Sequence, residues 1–276
     1  MINSRQRDVA LIEAGYWGKN LLRNFDSLEV LHTVCDLSPN SLDVFKKDYS
    51  HLNYTSDFES ILSNPDINKI VIATPAQTHY SVAKMAIEAG KDVFIEKPLC
   101  LNPPEGEELI DLARKNKVII FVGHLFHYHP YVKELKRVIE KGTIGDLQYI
   151  SSHRLNLGKI RQEENSLWSL APHDISLILS LCKYDTVQSM SCFGGTEQTP
   201  GICDTSMLHI LFESGVRSHI YVSWLSPVKE RRLIVTGTKG MLVFDDMLPW
   251  EEKLKLFQNP VLRGPKESIS HNPHCK

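Results

Sequence analysis

The chain has 276 residues, 42% of them apolar and 23% charged, and a formal net charge of −2. That is the composition of an ordinary globular protein of about two domains. The near-neutral balance, with no basic block and no long apolar run, argues against a nucleic-acid partner and against a membrane span. The six cysteines (Cys35, Cys100, Cys182, Cys192, Cys203, Cys275) show no CxxC or metal-ligand spacing. They read as reduced thiols, and the start MINSRQRDVA lacks the apolar stretch of a secretion signal, so a cytoplasmic location is expected.

Val9, Ala10, Leu11 and Ile12 form a short apolar run, as in a parallel strand buried on both faces. A turn at Ala14-Gly15 follows, and Leu21, Leu22 and Phe25 then recur at helical spacing. Strand, glycine turn and helix open a dinucleotide-binding βαβ unit, in which backbone N–H groups and a helix N-terminus face a pyrophosphate. The G-x-G-x-x-G fingerprint falls on positions 13, 15 and 18. Gly15 and Gly18 are present, but Glu13 stands in place of the first glycine.

Residues 28–35 read as a second strand ending in Asp36. That acid lies about 20 residues beyond the turn, where such domains hold the ribose hydroxyls of NAD. It reads equally well as an acid at a helix start, since Ser38-Pro39 opens a helix over 38–49. An extended piece near Tyr54 precedes a helix capped by Ser56 and Glu59 and ending before Pro65. Residues 69–73 form a buried strand with Thr74-Pro75 at its end, followed by a helix reaching Gly90 as its C′ residue. Strand 92–95 ends in Glu96-Lys97-Pro98, and helix 104–115 and strand 118–122 complete the set. The alternation predicts an open, mostly parallel sheet whose ligands sit beyond the carboxyl ends of the strands. Gly15, Asp36, Thr74, Glu96 and His124 all fall at or just after such ends.

The second half changes character near Gly123. Residues 130–141 are amphipathic, with Val132, Leu135, Val138 and Ile139 on one face. A long strand over 145–157 and a helix over 172–182 follow. Residues 205–212 and 216–224 alternate with period two across Ser214-Gly215, an antiparallel hairpin. Shorter strands are expected at 233–235 and 241–244. His124, His127 and His129 have no Cys or carboxylate close by to complete a metal site, so no metal is expected.

With Glu96-Lys97-Pro98 in place, the sequence resembles the Gfo/Idh/MocA oxidoreductase family. The resemblance rests on AGYWGKN at 14–20, Asp36, ATPAQTH at 73–79, EKPL at 96–99, GH at 123–124, RLNLGKIR at 154–161 and APHDIS at 171–176. Within the family it is most similar to bacterial enzymes that oxidise C3 of UDP-linked N-acetylglucosaminuronic acid. The resemblance implies an α/β fold: a Rossmann-like parallel-sheet domain (1–122), then an α/β domain with a mainly antiparallel sheet (123–258). A short C-terminus and a poorly ordered tail (259–276) are expected.

Residue by residue, the resemblance places a pyrophosphate at Gly15, Tyr16, Trp17 and Gly18 and the ribose at Asp36. It places Thr74, Pro75, His79, Glu96 and Lys97 along the cofactor, NAD rather than NADP. Lys97 and His173 are its catalytic residues, and His124, Arg154, Asn156 and Arg161 are candidates for binding a sugar or nucleotide-sugar substrate. A homo-oligomer built on the second domain's sheet is implied. Two residues depart from the pattern: Glu13 at the first glycine, and Ser169 where many members carry an aspartate four residues before the histidine. The function implied is hydride transfer between a sugar hydroxyl and NAD. The alternative is a non-catalytic dinucleotide- or sugar-binding protein descended from such an enzyme.

Overall fold

A computed structural model describes residues 6–158, 160–162 and 164–258. The expected tail, 259–276, lies outside the described residues. The chain divides into two compact units after Gly123.

The first unit alternates strands and helices throughout: β1 (Val9–Ile12), α1 (Gly18–Ser27), β2 (Leu31–Cys35), α2 (Pro39–Lys46), β3 (Asn53–Thr55), α3 (Phe58–Leu62), β4 (Lys69–Ile72), α4 (Ala76–Glu88), β5 (Asp92–Ile95), α5 (Pro103–Asn116) and β6 (Ile120–Val122). The six strands are all parallel, in the order β3-β2-β1-β4-β5-β6. The order reverses between β1 and β4, which makes the carboxyl ends of these strands the place for a ligand. All four residues of β1 are buried because both faces of the sheet are covered. Ala10 and Ile12 join a cluster with Ile70, Ile72 and Ile95; Val9 and Leu11 join another with Leu22, Leu31 and Val34. Gly90 follows α4 at φ +75°, the C′ conformation expected of it. The cap of α3 is one residue later than expected. Asp57, not Ser56, accepts the backbone N–H of Glu59 at 3.0 Å.

The second unit comprises α6 (Pro130–Glu140), β7 (Leu147–Leu157), α7 (Ser166–Leu170), α8 (Pro172–Leu181), β8 (Val187–Gly195), β9 (Thr205–Phe212), β10 (Arg217–Ser223), β11 (Leu225–Gly237), β12 (Met241–Asp245) and β13 (Leu254–Phe257). Two 3₁₀ turns, Leu125–Tyr128 and Trp250–Glu252, complete it. Its sheet runs β13-β12-β11-β7-β10-β9-β8, antiparallel except for the β7–β10 pair. The expected hairpin joins β9 to β10, and Gly215 sits at φ +84°, where a side chain would be strained. One face of the sheet holds Ile150, Ile210, Phe212, Ile220 and Val235 in a common core with Leu135 from α6 and Ile178 from α8. The alternate positions, Met207, His209, His219, Tyr221 and His153, lie together on the other face, as the pairing His219↔His209 and Tyr221↔His153 requires.

Candidate functional site

In the first unit the site begins at the turn out of β1. Glu13 adopts φ +69°, the left-handed region that a glycine would enter freely. Its N–H donates to the Cys35 carbonyl at 2.7 Å, so the strained residue is held at the end of the sheet. Gly18 packs directly on this residue: a Cβ there would lie 2.1 Å from the Glu13 carbonyl oxygen, so the position admits no side chain. A Cβ on Gly15 would lie 3.1 Å from Glu13 Oε1. The Glu13 carboxylate thus folds back over the glycine turn rather than swinging away from it. Burial first, and then the neighbouring Asp36, raise its carboxyl above the ordinary value.

Asp36 is 8% exposed at the end of β2. Its Oδ2 accepts from the Ala14 N–H at 3.3 Å and its Oδ1 from the Ser38 N–H at 2.9 Å. One carboxylate therefore ties the glycine turn to the start of α2. The reading of this acid as one at a helix start is met by its bond to Ser38.

At the end of β4 lies Thr74, with Pro75 exposed beside it. Thr74 Oγ1 is buried and has no hydrogen-bond partner among the described residues. An unpaired buried hydroxyl costs about 1–3 kcal/mol, which a ligand hydrogen bond would recover. His79, 1% exposed, spans the next gap: its Nδ1 lies 2.6 Å from the Pro98 carbonyl and its Nε2 2.7 Å from the Thr74 carbonyl. The ring links the loop after β4 to the loop after β5.

That second loop holds Glu96 and Lys97, with a cis Lys97-Pro98 bond. Trp17 Nε1 donates to Glu96 Oε1 at 2.8 Å, which joins the start of α1 to the end of β5. A Cβ on Gly123 would lie 3.1 Å from the Glu96 carboxyl, so that glycine gives the acid its room. Burial raises the Glu96 carboxyl; the Trp17 bond, the Lys97 N–H and the charges of Lys97 and His79 oppose that rise. The pairing of Trp17 with Glu96 spans 79 residues and has no local signal in the sequence.

In the second unit, His173 opens α8 and its ring lies 6.4 Å from that of His124 and 5.4 Å from that of Phe126. Arg154 is buried and doubly bonded to Asp174: Nε to Oδ2 at 2.7 Å and Nη2 to Oδ1 at 3.0 Å. Ser152 Oγ donates to Asp174 Oδ1 at 2.6 Å, and the Arg154 guanidinium stacks 4.7 Å from the Phe126 ring centre. The sequence reading singled out Arg154 but not Asp174, although both lie in the motifs that carry the resemblance. Arg161 is exposed and pairs with Glu164 at 2.8 Å. Asn156 is half-buried near the end of β7 and leans over Gly158. Ser169 is buried in α7. His129 turns away from His124 and His127, toward Phe244 and Trp250.

A dinucleotide fits this first unit at the turn before α1, at Asp36 and at the unpaired Thr74 hydroxyl, and is opposed by the carboxylate of Glu13. The sequence pattern of the family described as "Oxidoreductase family, NAD-binding Rossmann fold" matches residues 7–124. The pattern described as "GFO/IDH/MocA C-terminal domain" matches residues 132–243. The chain is 27% identical over 260 residues to the uncharacterized oxidoreductase YdgJ of Escherichia coli K12, covering 90% of this chain and 73% of that one. It is 26% identical over 238 residues to scyllo-inositol 2-dehydrogenase (NAD(+)) of Bacillus subtilis, covering 82% and 69%. In fold it is similar to the UDP-N-acetylglucosamine 3-dehydrogenase GnnA of Acidithiobacillus ferrooxidans, with a TM-score of 0.80 at 20% identity, covering 91% of this chain and 79% of that one.

Proposed function

We propose, for a chain that belongs to the Gfo/Idh/MocA oxidoreductase family, hydride transfer between a sugar or polyol hydroxyl and NAD, with a nucleotide sugar as the first substrate to try. The observation that carries the reading is the placement of the Gly15–Gly18 turn, Asp36, Thr74 and Glu96-Lys97 at the carboxyl ends of four adjacent strands, β1, β2, β4 and β5. When bound, the nicotinamide supplies the hydride acceptor. In this reading Gly15, Tyr16, Trp17 and Gly18 hold the pyrophosphate, Asp36 the ribose, and Thr74, Pro75, His79 and Glu96 the remainder. Lys97 hydrogen-bonds the substrate hydroxyl and stabilises negative charge on its oxygen. His173 accepts the hydroxyl proton as the C–H bond yields its hydride and the C=O bond forms. His124, Arg154, Asn156 and Arg161 are the residues proposed for the substrate. Arg154 would serve it through its ordered stack on Phe126, since its donors toward Asp174 are already used.

Calorimetric titration with NAD and NADP tests the cofactor half of this reading. NAD is expected to bind more tightly, because Asp36 would repel a 2′-phosphate. Glu13→Gly is expected to bind NAD at least about tenfold more tightly than wild type, a gain of about 1.4 kcal/mol. The carboxylate repels the pyrophosphate, and glycine relaxes the backbone at φ +69°. Glu13→Gln, which removes the charge and keeps the strain, is expected to fall between the two. Because burial and Asp36 raise the Glu13 carboxyl above its ordinary value, affinity in wild type should weaken as pH rises through its titration, and the glycine variant should lose that slope. Equal affinity in wild type and Glu13→Gly would remove the role of Glu13. Binding by none of the three would overturn the reading.

The position of the Glu13 carboxylate also favours a second reading, a dinucleotide-binding protein without turnover. NAD binding with no reduction of the cofactor by any sugar, polyol or nucleotide sugar would select it. A homo-oligomer through the face that carries Met207, His209, His219 and Tyr221 is part of the proposal. Light scattering at micromolar concentration should give a multiple of the chain mass, and a monomeric mass would remove this part.

A further inference from the structure

The 3₁₀ turn Leu125–Tyr128, α6 and α8 meet at a polar cluster that the proposed chemistry leaves unused. Lys136 Nζ lies 3.0 Å from His127 Nδ1 and donates to Ser180 Oγ at 2.9 Å. His127 Nε2 lies 3.2 Å from Ser176 Oγ, and Ser176 Oγ donates to the backbone carbonyl of His173 at 2.9 Å. A lysine ammonium only donates, and a carbonyl only accepts. His127 Nδ1 must therefore be the acceptor, so the ring hydrogen sits on Nε2 and points to Ser176. The hydrogen bonds then run in one direction, from Lys136 through His127 and Ser176 to the first turn of α8. A hydrogen on Nδ1 would set two donors against each other at 3.0 Å.

The charged and titratable groups around this ring favour the same state. Lys136 makes no ion pair with a carboxylate among the described residues; burial works against its charge, and Glu140, one turn along α6, works for it. The His124 ring lies 6.2 Å from that of His127, and His173 lies beyond it. Phe126 lies against both the His173 ring and the guanidinium of Arg154, whose charge Asp174 already balances. Burial, Lys136 and His124 together bring His127 down to about 4.

We infer that Lys136 is a positioning residue: it locks His127 as the neutral Nε2–H tautomer and, through Ser176, orients the start of the helix that carries His173. The bearing of this lock on turnover rests on the proposed role of His173; the lock itself does not.

The test is imidazole nitrogen–proton correlation spectroscopy on the labelled full chain, between about pH 5 and 8, where a histidine ordinarily titrates. His127→Asn assigns the signal. In wild type and in Lys136→Arg, which keeps a cationic donor, His127 is expected to show hydrogen on Nε2 and no titration in this range. In Lys136→Met the ring is free to carry its hydrogen on either nitrogen, and its midpoint should move up toward the ordinary histidine value, with burial and His124 still holding it below that value. Where turnover is measurable, the acid limb of the kcat/KM profile should move in Lys136→Met. A wild-type ring with hydrogen on Nδ1, or one that titrates normally, would overturn the inference whatever the activity. The expected spectra without turnover on any sugar would overturn only the proposed function. Should Lys136→Met fail to fold, Lys136→Leu takes its place, since only a neutral residue without a donor separates the effect of Lys136 from that of burial.

Discussion

Lys97→Met is expected to lower turnover by roughly 10²–10³-fold, the range that one donor stabilising a developing negative charge contributes, while NAD affinity stays near that of wild type. The reasoning starts from the loop after β5. Glu96 is buried and fixed by Trp17 Nε1, and His79 ties the neighbouring Pro98 carbonyl to Thr74. The backbone around Lys97 is therefore held by contacts that the substitution does not remove. Methionine keeps most of the side-chain length and loses only the ammonium. Binding by calorimetry and turnover by absorbance of the reduced nicotinamide separate the two effects. Equal turnover in the variant would remove Lys97 from the chemistry. Loss of both binding and turnover would make it a structural residue of the loop.

Asp174→Ala should destabilise the second unit by about 3–5 kcal/mol, the usual cost of leaving a buried charge without its partner. Asp174 is 3% exposed and accepts from Ser152 Oγ as well as both guanidinium bonds of Arg154. Removing it leaves the Arg154 cation without its carboxylate, and the Ser152 hydroxyl with only the Arg232 carbonyl at 3.5 Å, in a place that water reaches poorly. The double change Arg154→Met with Asp174→Leu should recover much of the loss, because the charge goes with its partner. Urea midpoints for the two variants and wild type give the comparison. A loss below about 1 kcal/mol for Asp174→Ala would mean that solvent reaches the guanidinium. The same series bears on the substrate. If Arg154 serves as proposed, the stable double variant should have a raised KM and a folded second unit.

The first unit was legible because its strands announce themselves twice, by short apolar runs and by what stands at their ends. In the parallel sheet Val9–Ile12 is buried throughout and Asp92–Ile95 at alternate residues, and both are bounded by turn residues. The second unit was legible where a strand has one wet face. β9 and β10 alternate because one side meets the core and the other does not. β8 escaped the sequence reading for the converse reason. It is an edge strand, exposed at eight successive residues, so burial imposed no period on Val187–Gly195. β11 runs over thirteen residues where the pattern marked three, since its first half is half-exposed and mixed in character. The short α7 and β13 are too brief to show a period at all.

At the site, strand ends were readable and partnerships were not. Glu13 could be flagged from the broken fingerprint, and its positive φ is the expected strain. No spacing rule, however, pairs Trp17 with Glu96 or Arg154 with Asp174, because those contacts follow from the fold rather than from local sequence.

If Asp36 sets the proposed preference for NAD, it also constrains how that preference could change. The usual route to accepting a 2′-phosphate is to exchange the acid at the end of the second strand for a neutral or basic residue. Here that acid also accepts the N–H groups of Ala14, just after β1, and of Ser38, at the start of α2. An arginine at this position would remove both acceptors at once. The glycine turn would then lose its tie to α2 just where Glu13 already strains it. A switch of preference in this chain therefore has to be a joint change. Glycine at position 13 would come first, to relieve the turn, and only then could residue 36 be altered without losing the shape that holds either dinucleotide.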